Sequence, residues 1–124
     1  MPGDAPSRSV LLVDDDREAC LLLGELIRLL RPTTTVWTAY GGEEGVALAL
    51  RHRPSVVVLD LEMPGLNGEG AAARIREAPG PATWILVAVS GSPQRLEHLA
   101  TGRLFDRCFL KPVPIESLLE SVGL

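Results

Sequence analysis

Three consecutive carboxylates, Asp14, Asp15 and Asp16, follow the apolar run Val10–Val13, and a fourth, Asp60, closes the apolar run Val56–Leu59. If the two runs lie side by side, these acids share one small crevice. At roughly 4 Å each like-charged pair costs about 4 kcal/mol at an effective dielectric of about 20, so the crevice needs a cation or some of the pKa values must rise. A divalent metal is the simpler answer. Every candidate ligand is a hard oxygen and neither His52 nor His98 belongs to the constellation, which favours Mg²⁺, with Mn²⁺ as the alternative, over zinc. Such an ion can hold a phosphoryl group against a carboxylate and spread its developing charge, with Asp60 as the nucleophile. Lys111 could supply a fixed positive charge to the phosphoryl oxygens, and Ser90 a hydroxyl hydrogen bond.

The elements that must position these residues are read from periodicity. Ser9–Val13 is strand-like. After it Ala19, Leu22, Leu23, Leu26, Ile27 and Leu30 recur at helical spacing until Pro32 stops the helix. Thr33–Ala39 is β-branched enough for an edge strand, and Val46, Ala49 and Leu50 mark a second helix after Gly41-Gly42. Val56–Leu59 is uninterrupted apolar sequence, as expected of a central parallel strand covered on both faces. A small-residue helix over 68–76, a strand over Trp84–Val89, a weak helix around Leu96, Leu99 and Ala100, a short strand at Cys108–Leu110 and a last helix carrying Ile115, Leu118, Leu119 and Val122 complete the alternation.

Strand and helix alternating at this pace predict an α/β fold, a doubly wound parallel sheet of five strands in the flavodoxin-like order 2-1-3-4-5. In that order ligands sit beyond the carboxyl ends of strands one and three, where the winding reverses. Those are the strands that end in Asp. Residues 9–124 are read as one domain and residues 1–8, rich in Pro and Gly, as a flexible tail. A net charge of −4 and a pI near 5.1 give no basic footprint for direct nucleic-acid or anionic-membrane binding. The longest uncharged apolar run, Trp84–Val89, is far too short to cross a bilayer. Cys20 and Cys108 form no CxxC or metal spacing, which suits a reducing, cytoplasmic setting with both thiols as strand or helix packing.

The acidic cluster Val10–Asp16, the segment Val58-Leu59-Asp60-Leu61-Glu62-Met63-Pro64-Gly65-Leu66-Asn67-Gly68, then Ser90-Gly91 and Lys111-Pro112, taken in order, resemble the receiver domains of two-component response regulators, and the resemblance spans Val10 to Leu119. It implies a signalling domain, not a turnover enzyme, in which Asp60 takes a phosphoryl group from the phosphohistidine of a histidine kinase or phosphotransfer protein. It further implies that Asp15 ligates Mg²⁺ directly, that Asp14 assists partly through water, and that the backbone carbonyl of Glu62 completes the protein ligands. Ser90 would move toward the phosphoryl group, Lys111 would pair with it, Gly91 would leave its approach open, and the Lys111-Pro112 bond would be cis. Output to a downstream target would pass through the surface of helix four, strand five and helix five. The chain departs from the pattern three residues before Lys111: Cys108 stands where the family often has a Tyr or Phe that acts as a rotamer switch, and Phe109 should face the other way.

Plainer roles compete for the same residues. Asp16 suits an N-cap for the first helix, and Ser92-Pro93 suits the cap and first position of the fourth. Met63–Gly68 is turn chemistry under any reading, and His52 and His98 are simplest as surface residues. Three other functions compete, and each meets an obstacle in the sequence. A haloacid-dehalogenase-type phosphatase would use Asp14 and Asp16, but Glu18 stands where that motif wants Thr or Val. A receiver-like interaction module that is never phosphorylated would have little use for four intact acids and Lys111. An FMN carrier would need a Ser/Thr/Gly-rich phosphate loop after the first strand, which is absent.

Overall fold

The architecture comes from a computed structural model, which describes residues 8–79, 85–99 and 102–124. The elements run β1 (Ser9–Val13), α1 (Arg17–Leu30), β2 (Thr35–Ala39), α2 (Gly42–His52), β3 (Val56–Asp60), α3 (Gly68–Glu77), β4 (Ile85–Ser90), α4 (Pro93–Leu99), β5 (Arg107–Leu110) and α5 (Ile115–Ser121). The strands form one sheet in the order β2-β1-β3-β4-β5 with every neighbouring pair parallel, the expected topology. Of the tail, only Arg8 is among the described residues; Trp84 and Ala100 also lie outside them.

The central strands explain the two-faced burial. All five residues of β1 and all five of β3 are buried, because alternate side chains feed two separate cores. One, holding Leu11, Val13, Val57, Leu59 and Leu86, is closed by Val46 and Ala49 of α2 and by Ala71, Ala72 and Ile75 of α3. The other, holding Val10, Leu12, Val56, Val58, Val87 and Val89, is closed by Cys20 and Ile27 of α1 and by Leu118 and Leu119 of α5, with Val122 just beyond. Each fully buried Leu or Ile contributes about 1.5–3 kcal/mol of transfer free energy, so the sheet carries much of the stability and holds the strand ends still.

Helix α1 departs from the expected stripe. It buries Cys20, Gly24 and Ile27, with Leu23 half-buried, whereas Ala19 and Leu30 are exposed and Leu22 is 62% exposed. Gly24 is buried on the face turned to the sheet, where a Cβ would meet Val36 at 3.5 Å and Leu12 at 3.7 Å, ordinary contact distances. The apolar arc is wider than the face that fits, and its flank stays in solvent. Leu50 is likewise exposed. Strand β2 starts at Thr35, not Thr33, since the Thr34 N–H is taken by the Arg31 carbonyl in a turn (3.0 Å). The weak helix α4 has no buried residue; Leu96 and Leu99 are half-buried.

Candidate functional site

The carboxyl ends of β1, β3, β4 and β5 meet at one edge of the molecule. Val13 pairs with Leu59, so the residues that follow, Asp14 and Asp60, emerge side by side, as the strand order requires. Carboxylate oxygens of Asp14, Asp15 and Asp60 lie within 4.8 Å of one another. Asp60 is only 4% exposed, Asp14 is half-buried and Asp15 is exposed. Three hard oxygen donors this close, one end open to solvent, are a donor set that fits a small divalent cation. Asp16 stands apart: its side chain caps α1 by accepting the Ala19 N–H (3.2 Å), while its own N–H is accepted by Asp14 Oδ1 (2.9 Å).

Lys111, held just past β5 by donating its backbone N–H to the Ser90 carbonyl (2.9 Å), brings Nζ to 3.2 Å from Asp60 Oδ2 and 3.7 Å from Asp14 Oδ2. The Lys111-Pro112 bond is cis. The other Asp60 oxygen accepts the Glu62 N–H at 3.1 Å. Burial, and then the Asp14 charge, raise the Asp60 carboxyl from its ordinary 3.8 to about 6, against the opposing pull of the Glu62 N–H and Lys111. Burial would lower Lys111, but the charges of Asp14 and Asp60 outweigh it and raise it above its ordinary value. Burial thus disfavours the charged form of Asp60, while Lys111 and the Glu62 N–H favour it.

The loop after Asp60 is shaped by glycine. A Cβ on Gly68 would sit 2.5 Å from the Asp60 carbonyl oxygen, so only glycine lets α3 begin against the strand end; Gly65 has φ +71°. Asn67 then caps α3 by accepting the Gly70 N–H (2.9 Å).

Ser90, fully buried at the end of β4, does not face Asp60 with a free hydroxyl. Its Oγ accepts the Ser92 N–H (2.9 Å) and donates to Glu62 Oε2 (2.5 Å), while the other Glu62 oxygen accepts the Gly91 N–H (3.1 Å). Arg95 of α4 is 3.3 Å from Glu62 Oε2 and also pairs with Glu69 of α3. Although burial pushes Glu62 up, the Ser90 and Gly91 hydrogen bonds and the Arg95 and Lys111 charges hold its carboxyl below the ordinary value. The sequence points to Glu62 and its backbone carbonyl but does not single out Arg95: the two are 33 positions apart and no motif joins them.

At the departure from the pattern, Cys108 is half-buried opposite Ala88, and Phe109 faces the core of α1 and α5, as strand alternation predicts. Burial raises the Cys108 thiol, and Cys20 is pushed up to about 11 chiefly by burial, so both are poor nucleophiles. Ser92 and Pro93 start α4 as expected, Ser92 Oγ accepting the Arg95 N–H (3.3 Å). His52 stacks on Trp37 at 4.4 Å and is half-buried, more than a plain surface residue. A groove of about 350 Å³ leads from Asp60 and Lys111 between α1 and the start of α5, walled by Leu22, Leu23, Leu26, Val113 and Ile115.

The fold and this site define a doubly wound α/β domain with an acid and lysine centre at its topological switch point. Sequence comparison narrows the class. The profile of the response regulator receiver domain matches residues 10–123, and the chain belongs to that family, a signalling domain of two-component systems. It is 31% identical over 114 residues to the nitrate/nitrite response regulator NarL of Escherichia coli K12, an alignment covering 92% of this chain and 52% of that protein. It is 29% identical over 113 residues to the response regulator ArlR of Staphylococcus aureus, covering 91% of this chain and 50% of that one. The chain thus spans about half the length of these relatives. Among solved structures, the signal receiver domain of a DNA-binding response regulator from Colwellia psychrerythraea superposes with a TM-score of 0.80 at 28% identity, covering 93% of this chain and 94% of that one. A CheY-like receiver domain from Methylobacillus flagellatus gives 0.78 at 26% identity, covering 93% and 98%.

Proposed function

We propose that Asp60 is the phosphoacceptor of this receiver, charged by a histidine kinase or phosphotransfer protein. An Asp60 oxygen forms the new O–P bond as the P–N bond of the partner's phosphohistidine breaks; the imidazole nitrogen keeps the electron pair and takes up a proton. The observation that carries this reading is the buried Asp60 carboxylate, placed 3.2 Å from Lys111 Nζ and in one cluster with Asp14 and Asp15. Lys111 then exchanges its Asp60 partner for a phosphoryl oxygen, and the Ser90 hydroxyl provides a second donor. Asp14, Asp15 and Asp60, with the backbone carbonyl of Glu62, would hold Mg²⁺ or Mn²⁺; when bound, the ion neutralises charge on the phosphoryl oxygens and orients the group. The domain catalyses only its own phosphorylation and dephosphorylation.

The receiver is assigned to residues 9–124 and to the cytoplasm; no helix among the described residues is long and apolar enough to cross a membrane. Its output runs through α4, β5 and α5 to a protein target, with no nucleic acid bound by this chain. Intact mass after incubation with acetyl phosphate and Mg²⁺ tests the chemistry. A gain of one phosphoryl group, absent in Asp60→Ala and without metal, is expected. No gain in the native chain, with Mg²⁺ binding verified, would leave an interaction module that is never phosphorylated.

A further inference from the structure

A phosphoryl group on Asp60 needs hydrogen-bond donors at the neighbouring strand end, and in this chain the two that β4 offers are already taken by one anion. The Ser90 hydroxyl is bonded to one oxygen of Glu62 at 2.5 Å and the Gly91 N–H to the other at 3.1 Å. That is the grip an anion receives from a turn of backbone and hydroxyl donors. The Ser92 N–H fixes the Ser90 rotamer that makes it possible. Arg95 adds a charge on the outer side of Glu62 and, through Glu69, ties the carboxylate to α3. Helix α4, which carries Arg95, has no fully buried residue, and this clasp ties its first turn to the loop after β3 and to α3.

We propose that the Glu62 side chain is an internal occupant of the Ser90 and Gly91 donors, clamped by Arg95, and that phosphoryl capture at Asp60 must displace it and so free the start of α4. The proposal rests on Asp60 being the phosphoacceptor and goes beyond it by assigning Glu62 and Arg95 as positioning residues. It also supplies a route to α4 that needs no aromatic ring at the Cys108 position. Displacement exchanges one charge-assisted pair of hydrogen bonds for another, so the latch slows capture without forbidding it.

The test is the rate of mass gain with acetyl phosphate and Mg²⁺ for the native chain, Glu62→Ala and Arg95→Gln, with folding of each checked by thermal melting. Loss of the occupant should speed acyl phosphate formation about tenfold, the effect of removing a competitor held by charge-assisted hydrogen bonds, and loss of its clamp about threefold. Arg95 separates a latch from plain electrostatics: removing a cation near the site should slow capture of an anionic donor if charge alone matters, whereas a released latch speeds it. If Glu62→Ala does not fold, Glu62→Gln, of the same shape, takes its place with the same expected direction. A native chain that is phosphorylated on Asp60 while neither variant is faster overturns the latch, as does acceleration in the Glu62 variant with slowing in Arg95→Gln. A native chain that gains no phosphoryl group overturns the phosphoacceptor reading itself, and the latch with it.

Discussion

At the scale of single residues the site is a balance of charges around a buried carboxylate. Asp60 binds its proton more tightly in the folded chain than in the unfolded one, since its pKa is raised from 3.8 to about 6 by burial and by Asp14. Its contribution to stability is thus fully present below the unfolded value near 4 and is lost as pH rises through about 6, because ionising it in the fold costs more than ionising it in water. Without metal, Asp60→Asn is expected to raise the melting temperature at pH 7.5 and to lose most of that advantage at pH 4. An Asn variant less stable than the native chain at pH 7.5 would show that Lys111 more than offsets the burial. Mg²⁺ should stabilise the native chain at pH 7.5 and do so far less in the Asn variant, in proportion to its preference for the folded state.

At the scale of elements, strand ends and helix starts set the site, and glycine decides how close they come. Gly68→Ala would drive a methyl to 2.5 Å from the Asp60 carbonyl oxygen and 2.9 Å from the Leu61 Cα, both backbone atoms. Denaturant unfolding should show a loss of about 1–3 kcal/mol, typical of overpacking against atoms that cannot turn away. Gly91→Ala is the internal contrast, since a Cβ there meets nothing within 4 Å, and its change should stay within about 0.5 kcal/mol. Equal losses in the two variants would argue against the close α3 and β3 approach.

The same scale shows what could be read before folding. The positions of Asp14, Asp60, Ser90 and Lys111 were legible because each ends, or just follows, an apolar strand run, and the order of a doubly wound sheet then places those ends together. The inner face of α1 was not, because six apolar positions satisfy helical spacing over an arc wider than the face that packs on the sheet, which is Cys20, Gly24 and Ile27. Nor was the clasp on Ser90, because Glu62, Glu69 and Arg95 meet through side-chain reach between a loop and two helices, which no periodicity encodes. Cys108 was visible as a departure in the sequence, and the structure adds that Phe109 packs into the opposite core and offers no substitute ring.

At the scale of the whole molecule, the residues that α1 leaves outside are as informative as those it buries. Leu22 is 62% exposed and, with Leu23 and Leu26, walls the groove that ends at Asp60 and Lys111. If Asp60 is the phosphoacceptor proposed above, a donor phosphohistidine reaches it from that open edge on a larger protein, and the apolar surface beside Asp60 is then expected to meet that protein, as exposed apolar patches often do. The chemistry of Asp60 with a small donor such as acetyl phosphate makes no use of that wall. Leu22→Asp is therefore expected to cut the rate of transfer from a phosphorylated histidine kinase or phosphotransfer protein by about tenfold or more, the effect of losing one well-placed apolar contact and adding a charge to it. The same variant should gain mass from acetyl phosphate at close to the native rate, since Leu22 touches none of the reacting groups. A parallel fall in both rates would mean that the substitution disturbs Asp14 and Asp60 through α1, and no fall in either would place the donor on another face of the domain.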